Sequence, residues 1–157
     1  MVSLYHGSAI DLPVGLVLTG RGDQYESAWS HTDFYAALEK YRPAHCTPHR
    51  EAVFMVADPD DIDLAGGATD FVFELEVDAD DASRHDLNWS SEISMLISDG
   101  HVIDSPEVAA SAQAYWAGTP HHNESVWEFM ARAARIVRCE PYETFEVVPV
   151  QGGRPRP

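Results

Sequence analysis

Basic residues are scarce in this chain of 157 residues, which has 10 Lys and Arg against 26 Asp and Glu and a formal net charge of −16. A chain with this charge repels the phosphate backbone of nucleic acids and has few cations to displace condensed counterions. Nucleic acid is therefore disfavoured as a partner, and a basic or neutral partner is favoured. A solubility adaptation without any functional meaning would give the same charge.

Cysteines and long apolar runs are also scarce. The two cysteines, Cys46 and Cys139, are too few for a disulfide framework. No stretch approaches the roughly 20 apolar residues that a membrane span needs. Residues 1–6 have neither the basic region nor the apolar region of a secretion signal. We therefore expect a cytoplasmic protein that does not use a membrane.

No internal repeat, low-complexity block or Pro/Gly-rich linker divides the chain. Its length fits one domain with a core of its own, which we place at residues 1–150, followed by a flexible tail at 151–157. Neither a Walker phosphate loop nor a Rossmann glycine motif is present. A nucleotide ligand would therefore have to be held in some other way.

Strand patterns lie at both ends of the chain, and helix signals lie between them. The predicted strands are 2–5, 16–19, 52–56, 71–77 and 144–150. Thr32 is expected to cap a helix that Pro43 stops, and Ser105-Pro106-Glu107 is expected to start a helix that ends before Gly118. Asp58-Pro59 predicts a short helical turn. This arrangement predicts an α+β fold with mainly antiparallel sheets.

The segment 124–137 has two possible interpretations. Its apolar residues Val126, Met130, Ala133 and Val137 have helical spacing, but it is also rich in strand-forming residues. Periodicity favours a helix, in which Glu128 and Arg132 would form a surface ion pair one turn apart.

The start of the chain, Leu4-Tyr5-His6-Gly7-Ser8, carries the most informative motif. A His-Gly-Ser that leaves the first strand resembles the opening motif of the poly(ADP-ribose) polymerases and their bacterial relatives. Rifampin-modifying ADP-ribosyltransferases have a similar version, and their next residues resemble 9–15 and 19–20 of this chain. The resemblance implies that the histidine binds a ribose hydroxyl of NAD and that the backbone of the next residue pairs with the nicotinamide carboxamide. A glycine at that position would let a flat ring approach the main chain.

A second landmark of the same superfamily resembles residues 50–58, a strand that bears an aromatic side chain and is followed by a small helix. The resemblance places Phe54 against the nicotinamide, where the family usually has a tyrosine. Phe keeps the π face for stacking but lacks the hydroxyl group. Arg50, one of the few cations, is a candidate for binding the pyrophosphate.

The third landmark is an acid near the C-terminal strands, and Glu128 in Val126-Trp127-Glu128-Phe129-Met130 fits it best. Its carboxylate would stabilise the oxocarbenium-like state in which the bond between ribose and nicotinamide breaks. Glu124 is an alternative. Asp86 is a second alternative, because rifampin-modifying relatives have an Asp at a similar place. Asp86 could equally lie in a polar turn.

These motifs together imply an ADP-ribosyltransferase-like fold of split antiparallel β-sheets with flanking helices, in which His6 and Phe54 face one cleft. They imply an ADP-ribosyltransferase that uses NAD as its substrate, with NAD glycohydrolase activity as a side reaction. The acceptor would be a protein or a small molecule. Such stand-alone domains are often toxins or defence-related factors.

Two other functions remain open. One is a catalytically degenerate module of the same fold that binds NAD or ADP-ribose, which Phe54 in place of Tyr favours. The other is a small hydrolase unrelated to NAD that uses His6 and an acid. His45, Cys46 and His49 lie close enough to suggest a metal, but a fourth ligand at normal spacing is missing, so we expect no metal cofactor.

Overall fold

The computed structural model describes residues 1–140 of the chain. The strand predicted at 144–150 and the tail predicted at 151–157 lie outside the described residues. Within 1–140, no helix is both long and apolar enough to cross a membrane.

Residues 1–140 form seven strands and four α-helices. The strands are β1 (Val2–Ser8), β2 (Val17–Thr19), β3 (Val53–Val56), β4 (Phe71–Val77), β5 (Ser83–Asp86), β6 (Trp127–Ala131) and β7 (Ala133–Glu140). The helices are α1 (Asp23–Trp29), α2 (Asp33–Lys40), α3 (Leu87–Ser98) and α4 (Pro106–Trp116), and two short 3-10 helices cover His49–Glu51 and Pro59–Asp61.

The strands form one antiparallel sheet in the order β2-β7-β4-β1-β3-β6-β5. The α+β class is therefore confirmed, but the two predicted sheets are a single sheet. β1 pairs with β4 along its whole length. On its other side, β1 shares one register pair with β3, Tyr5 with Val56. The sheet thus has a narrow join in its middle, and beyond this pair the side chain of His6 connects the two strands.

The helix that periodicity favoured at 124–137 is wrong, because this segment contains β6 and the start of β7. Burial in it alternates with a period of two: Glu128 and Met130 are buried, while Trp127 and Phe129 are partly exposed. β6 lies between β3 and β5 and takes its backbone hydrogen bonds from both. These partners are distant in sequence, so local spacing could not reveal them.

The predicted helix caps are confirmed. Thr32 Oγ1 accepts from the backbone N–H of Tyr35 at 3.2 Å and caps α2. Ser105 Oγ accepts from the N–H of Val108 at 3.4 Å and caps α4. Gly118 follows α4 with a φ of +65°. No local pattern in the sequence indicated α1, in which no residue is fully buried, or β5, whose buried residues are polar.

Two apolar clusters make up most of the core. One lies between helices α2–α4 and the sheet, and its buried members are Ala37, Leu38, Cys46, Ala52, Ile93, Val108, Ala112, Tyr115, Trp116 and Met130. The other is built mainly from strand residues, which are Leu4, Val53, Met55, Phe73, Leu75, Val77, Ala131, Ala134 and Ile136. The helical cluster places α4 beside β5 and β6, and this brings Tyr115 to Glu128.

Candidate active site

His6 lies where β1 and β3 stop pairing, and its ring is partly buried. Its Nδ1 lies 2.8 Å from the carbonyl oxygen of Phe54, so Nδ1 carries a proton and donates it. Burial lowers the pKa of His6, and the positive charge of Arg21 lowers it further, against the opposing effect of the Phe54 hydrogen bond. A neutral ring with its proton on Nδ1 has a free lone pair on Nε2. His6 can therefore accept a hydrogen bond from a ligand hydroxyl.

Gly7 follows His6 at a point where the chain leaves no room for a side chain. A Cβ on Gly7 would lie 2.0 Å from the carbonyl oxygen of Ala68 and 2.5 Å from Cγ2 of Ile62. The loop after the second 3-10 helix thus packs directly on this backbone. Packing explains the glycine here without any ligand.

Phe54 on β3 packs between two other rings. The Tyr25 ring of α1 stacks on it with a centroid distance of 5.6 Å and an interplanar angle of 23°. The imidazole of His49 contacts it at 5.5 Å and 64°. The aromatic face that the sequence assigns to a nicotinamide is therefore covered by Tyr25 in this conformation.

Glu128 on β6 is buried, with 6 % of its surface exposed. Its register partners are Val56 on β3 and His85 on β5. The hydroxyl of Tyr115, on α4, donates to Oε1 of Glu128 at 3.3 Å. Burial raises the pKa of Glu128 to about 7, although the Tyr115 hydrogen bond lowers it. Glu128 is thus a carboxyl group whose protonation changes near neutral pH, as expected of an acid–base or electrostatic group at a functional site.

A chain of hydrogen bonds connects Glu128 to Tyr25. Nε2 of His49 lies 2.9 Å from the hydroxyl of Tyr115, and Nδ1 of His49 lies 3.3 Å from the hydroxyl of Tyr25. Burial lowers the pKa of His49 to about 3, with the nearby His85 contributing, so the ring is neutral at pH 7. His49 therefore has one proton to donate and one lone pair to accept with.

His85 supports Tyr115 from the other side. Its ring is fully buried and stacks on Tyr115 at a centroid distance of 4.7 Å and an angle of 22°. Nδ1 of His85 donates to the Tyr115 carbonyl at 2.9 Å, and the Ser83 hydroxyl donates to Nε2 at 2.8 Å. Both ring nitrogens of His85 are thus satisfied within the protein, which is typical of a structural histidine.

The rival acids lie outside this hydrogen-bonded chain. Asp86 is buried as the N-cap of α3, and its Oδ1 and Oδ2 accept from the backbone of Asn88 and His121. Burial would raise the pKa of Asp86, but hydrogen bonds from His121, Ser125, Asn88 and Val126 together lower it. Asp86 organises the loop before β6. Glu124 is exposed in that same loop.

Two other candidate residues have partners within the chain. Arg50 lies 2.6 Å from Glu26 and 3.6 Å from Asp23, both on α1. The hydroxyl of Ser8 accepts from the backbone of Ile10 at 3.1 Å. An anion bound at Arg50 would have to compete with two carboxylates.

The ion pair expected between Glu128 and Arg132 is absent, because a strand does not bring residues four apart together. Arg132 instead pairs with Glu51 beside β3. Glu128 is buried beside Tyr115, and Arg132 is exposed at the end of β6.

Sequence reasoning missed Arg21, Tyr25, Tyr115 and His85, and it considered His49 only as a metal ligand. Arg21 is exposed, and its positive charge contributes a lowering of the pKa at both His6 and Tyr25. Tyr115 has the burial pattern of an ordinary core residue, so its hydroxyl gave no signal. Among residues 1–140, no group of three or more His, Cys, Asp or Glu side chains is arranged to hold a metal ion.

Two depressions in the described surface lie elsewhere. One, of about 490 Å³, is lined by Asp33, Ile97 and residues 100–104. The other, of about 270 Å³, is lined by residues 45–47, 80–84 and 116–118. Neither depression is lined by His6, Phe54 or Glu128, and the Tyr25 ring stacks on Phe54.

β1 with His6, β3 with Phe54 and β6 with Glu128 thus lie side by side near the narrow join of the sheet, where His6 contacts the backbone of Phe54. In comparisons with protein-family models, with curated proteins and with solved structures, nothing matches this chain. Inference about its function therefore rests on its motifs and on this geometry.

Proposed function

We propose that the chain is an NAD-dependent ADP-ribosyltransferase, which breaks the bond between nicotinamide and ribose and transfers ADP-ribose to an acceptor. The observation that carries the proposal is the hydrogen bond from His6 to the backbone of Phe54 at the narrow join of the sheet, with Glu128 on the strand next to Phe54. His6 binds the backbone of Phe54 directly, and Glu128 lies one strand further, two residues from the partner of Phe54. An ADP-ribosyltransferase-like fold is part of the proposal, with the narrow join between β1 and β3 of the single sheet in place of two separate sheets.

His6 is assigned to a ribose hydroxyl. Its Nδ1 is already engaged by Phe54, so the ring orientation is fixed and Nε2 is available as an acceptor. A preoriented acceptor loses little entropy when it binds a hydroxyl group.

The pyrophosphate is assigned to Arg21 rather than to Arg50. Arg21 is exposed, and its positive charge contributes to the lowered pKa of His6, whereas Arg50 already contacts Glu26 and Asp23. A guanidinium group suits phosphate oxygens because it donates two parallel hydrogen bonds.

Phe54 is assigned to the nicotinamide ring. A nicotinamide stacked on Phe54 would displace Tyr25 or lie at the edge of this pair, because the two rings are in contact. Displacement is feasible, since α1 has no fully buried residue.

Glu128 is assigned to the ribose that becomes oxocarbenium-like. An ionised carboxylate held in a buried place stabilises developing positive charge more strongly than one in water. With a pKa of about 7, the ionised fraction of Glu128 increases across the neutral range. Nicotinamide release should therefore increase with pH up to about 8.

The test is to incubate the purified chain with NAD and to measure free nicotinamide. Release above the rate of NAD alone supports the proposal, and its loss in Glu128→Gln assigns the activity to this site. Absence of release from the wild type would overturn it. Candidate acceptors are protein side chains and small molecules, which labelled NAD would reveal by transfer of the label.

A binding module without turnover is the second candidate, and two observations favour it. Position 54 is Phe, and Tyr25 covers this ring. Calorimetry separates the two functions, because a module binds NAD or ADP-ribose without releasing nicotinamide. Nucleic acid stays disfavoured as a partner by the net charge of −16.

A further inference from the structure

We propose that Tyr115 is a positioning residue that favours the ionised form of Glu128, and that Tyr25 and His49 stabilise the direction of the Tyr115 hydrogen bond. The inference concerns the site of the proposed function, and its significance for catalysis rests on that function. The hydrogen-bond direction itself can be tested without any activity.

The argument begins at the carboxylate. An ionised Glu128 has no proton, so the hydroxyl of Tyr115 must donate to Oε1. A tyrosine hydroxyl has one proton, and this contact uses it. The contact of 2.9 Å between Tyr115 and His49 must therefore run the other way, with Nε2–H of His49 donating to the Tyr115 oxygen.

The same reasoning extends to Tyr25. A neutral His49 that carries its proton on Nε2 has a lone pair on Nδ1, and the Tyr25 hydroxyl at 3.3 Å donates to it. Each donor in the series then has one acceptor, and each hydroxyl or ring proton is used once. By donating to Nδ1, the Tyr25 hydroxyl stabilises the His49 tautomer that is protonated on Nε2, and this tautomer leaves the Tyr115 proton for Glu128.

The reverse arrangement would disfavour the ionised acid. If His49 carried its proton on Nδ1, the Tyr115 hydroxyl could donate to Nε2, and Glu128 would lose a hydrogen bond. A buried carboxylate without that bond takes up a proton more readily. The hydroxyl of Tyr25 therefore acts on Glu128 through two intervening side chains, although it sits on α1 against Phe54.

Several ionisable groups surround this series: Cys46 acts on Tyr115, Arg42 acts on His49, and Tyr35, Glu39 and Arg21 act on Tyr25. Glu128 faces Tyr115 from α4, His85 from β5 and Tyr25 from α1. His85 is satisfied by Ser83 and by the Tyr115 carbonyl, so it does not compete for the Tyr115 hydroxyl. Burial and the charge of Glu128 raise the pKa of Tyr115. Tyr115 therefore stays protonated and able to donate.

Titration of Glu128 by ¹³C NMR of its Cδ atom tests the inference, with the signal assigned by its disappearance in Glu128→Gln. In Tyr115→Phe, the midpoint of this titration should rise by about one pH unit or more, the value of one hydrogen bond to a charged group. Tyr25→Phe keeps the ring stacked on Phe54 but removes the hydroxyl that donates to Nδ1 of His49, so either His49 tautomer can form. The Glu128 midpoint should therefore rise by less than it does in Tyr115→Phe.

Tyr41→Phe is the matched control. It removes a tyrosine hydroxyl that donates to the Ile103 carbonyl at 3.2 Å, away from Glu128, and should leave the midpoint unchanged. Tyr25 lies on α1, which has no fully buried residue, so Tyr25→Phe keeps the experiment decisive even if Tyr115→Phe does not fold. The inference is overturned if the Glu128 midpoint in Tyr25→Phe and Tyr115→Phe equals the wild-type midpoint. It is also overturned if Tyr41→Phe shifts the midpoint by the same amount as these two variants.

The catalytic consequence has a separate readout. In Tyr115→Phe, nicotinamide release at pH 7 should fall about fivefold or more, because a midpoint one pH unit higher leaves roughly a tenth of Glu128 ionised, and it should recover toward the wild-type rate at higher pH. A rate that stays low at every pH would indicate a general structural role and contradict the inference. If the wild type releases no nicotinamide but the midpoints follow the expected order, the enzyme proposal fails and the hydrogen-bond series stands.

Discussion

Nδ1 of His6 donates to the carbonyl oxygen of Phe54 at 2.8 Å, across the point where β1 and β3 stop pairing. This contact leaves Nε2 as the free acceptor of a neutral imidazole. We therefore expect Nε2 of His6, in the His-Gly-Ser motif, to be the atom that accepts a hydrogen bond from a ligand.

His6→Ala should therefore weaken NAD binding by on the order of 1–3 kcal/mol, the value of one hydrogen bond and an unpaired partner. Calorimetry with NAD measures this directly. His31→Ala removes an exposed histidine between α1 and α2 and should have no effect. Equal NAD affinity in His6→Ala and the wild type would show that the His-Gly-Ser match is accidental.

Glu128→Gln should reduce nicotinamide release by about 10²–10³-fold, which is typical of the loss of one preorganised electrostatic group. NAD affinity should hardly change, because the charge acts mainly in the transition state. Kinetics and calorimetry on the same preparation measure the two quantities.

Glu124→Gln is the control, since Glu124 is exposed in the loop before β6. Asp86→Asn should lower the stability of the fold, because Asp86 caps α3 and holds the loop at His121. If Asp86→Asn abolished release in folded protein while Glu128→Gln did not, Asp86 would be the catalytic acid.

The pH dependence of stability should differ between the wild type and Glu128→Gln. The pKa of Glu128 is about 7 in the folded chain, against an ordinary 4.5. Between these values the folded state binds more protons than the unfolded state, so this group's contribution is present below pH 4.5 and is lost as pH rises through 7. The difference corresponds to about 3 kcal/mol.

Denaturant unfolding of both proteins at pH 5 and pH 8 measures this contribution as a difference. His49, whose pKa is lowered to about 3, acts in the opposite direction below pH 6.5. Since His49 is present in both proteins, its effect cancels in the comparison. Parallel stability curves for the two proteins would show that Glu128 titrates as an ordinary exposed acid.

Gly7→Ala should destabilise the fold by about 1–3 kcal/mol or more, because the new Cβ would overlap the carbonyl oxygen of Ala68. Thermal or denaturant unfolding measures this loss. The neighbouring Ser8→Ala loses one exposed hydrogen bond and should cost less than about 1 kcal/mol. If Gly7→Ala unfolded like the wild type and lost only NAD binding, the glycine would be there for a ligand and not for the loop.

The sequence by itself determined the α+β class, the caps at Thr32 and Ser105 and the strands β1–β4. These depend on local signals: a hydroxyl before a helix, a proline at its first position, and alternation along Phe71–Val77. The resemblance of short motifs to a known superfamily also predicted His6, Phe54 and Glu128 as site residues, and their role stays a prediction.

The tertiary structure decided that 127–131 and 133–140 are strands, because β6 takes its hydrogen bonds from β3 and β5, which lie far away in sequence. It also decided the surroundings of Glu128. Tyr25, His49 and Tyr115 come from three separate elements, and nothing in their spacing indicates that their polar atoms meet. The pKa of a buried acid depends on its hydrogen bonds and its burial. Both arise from contacts between segments distant in sequence, so the local sequence does not reveal them.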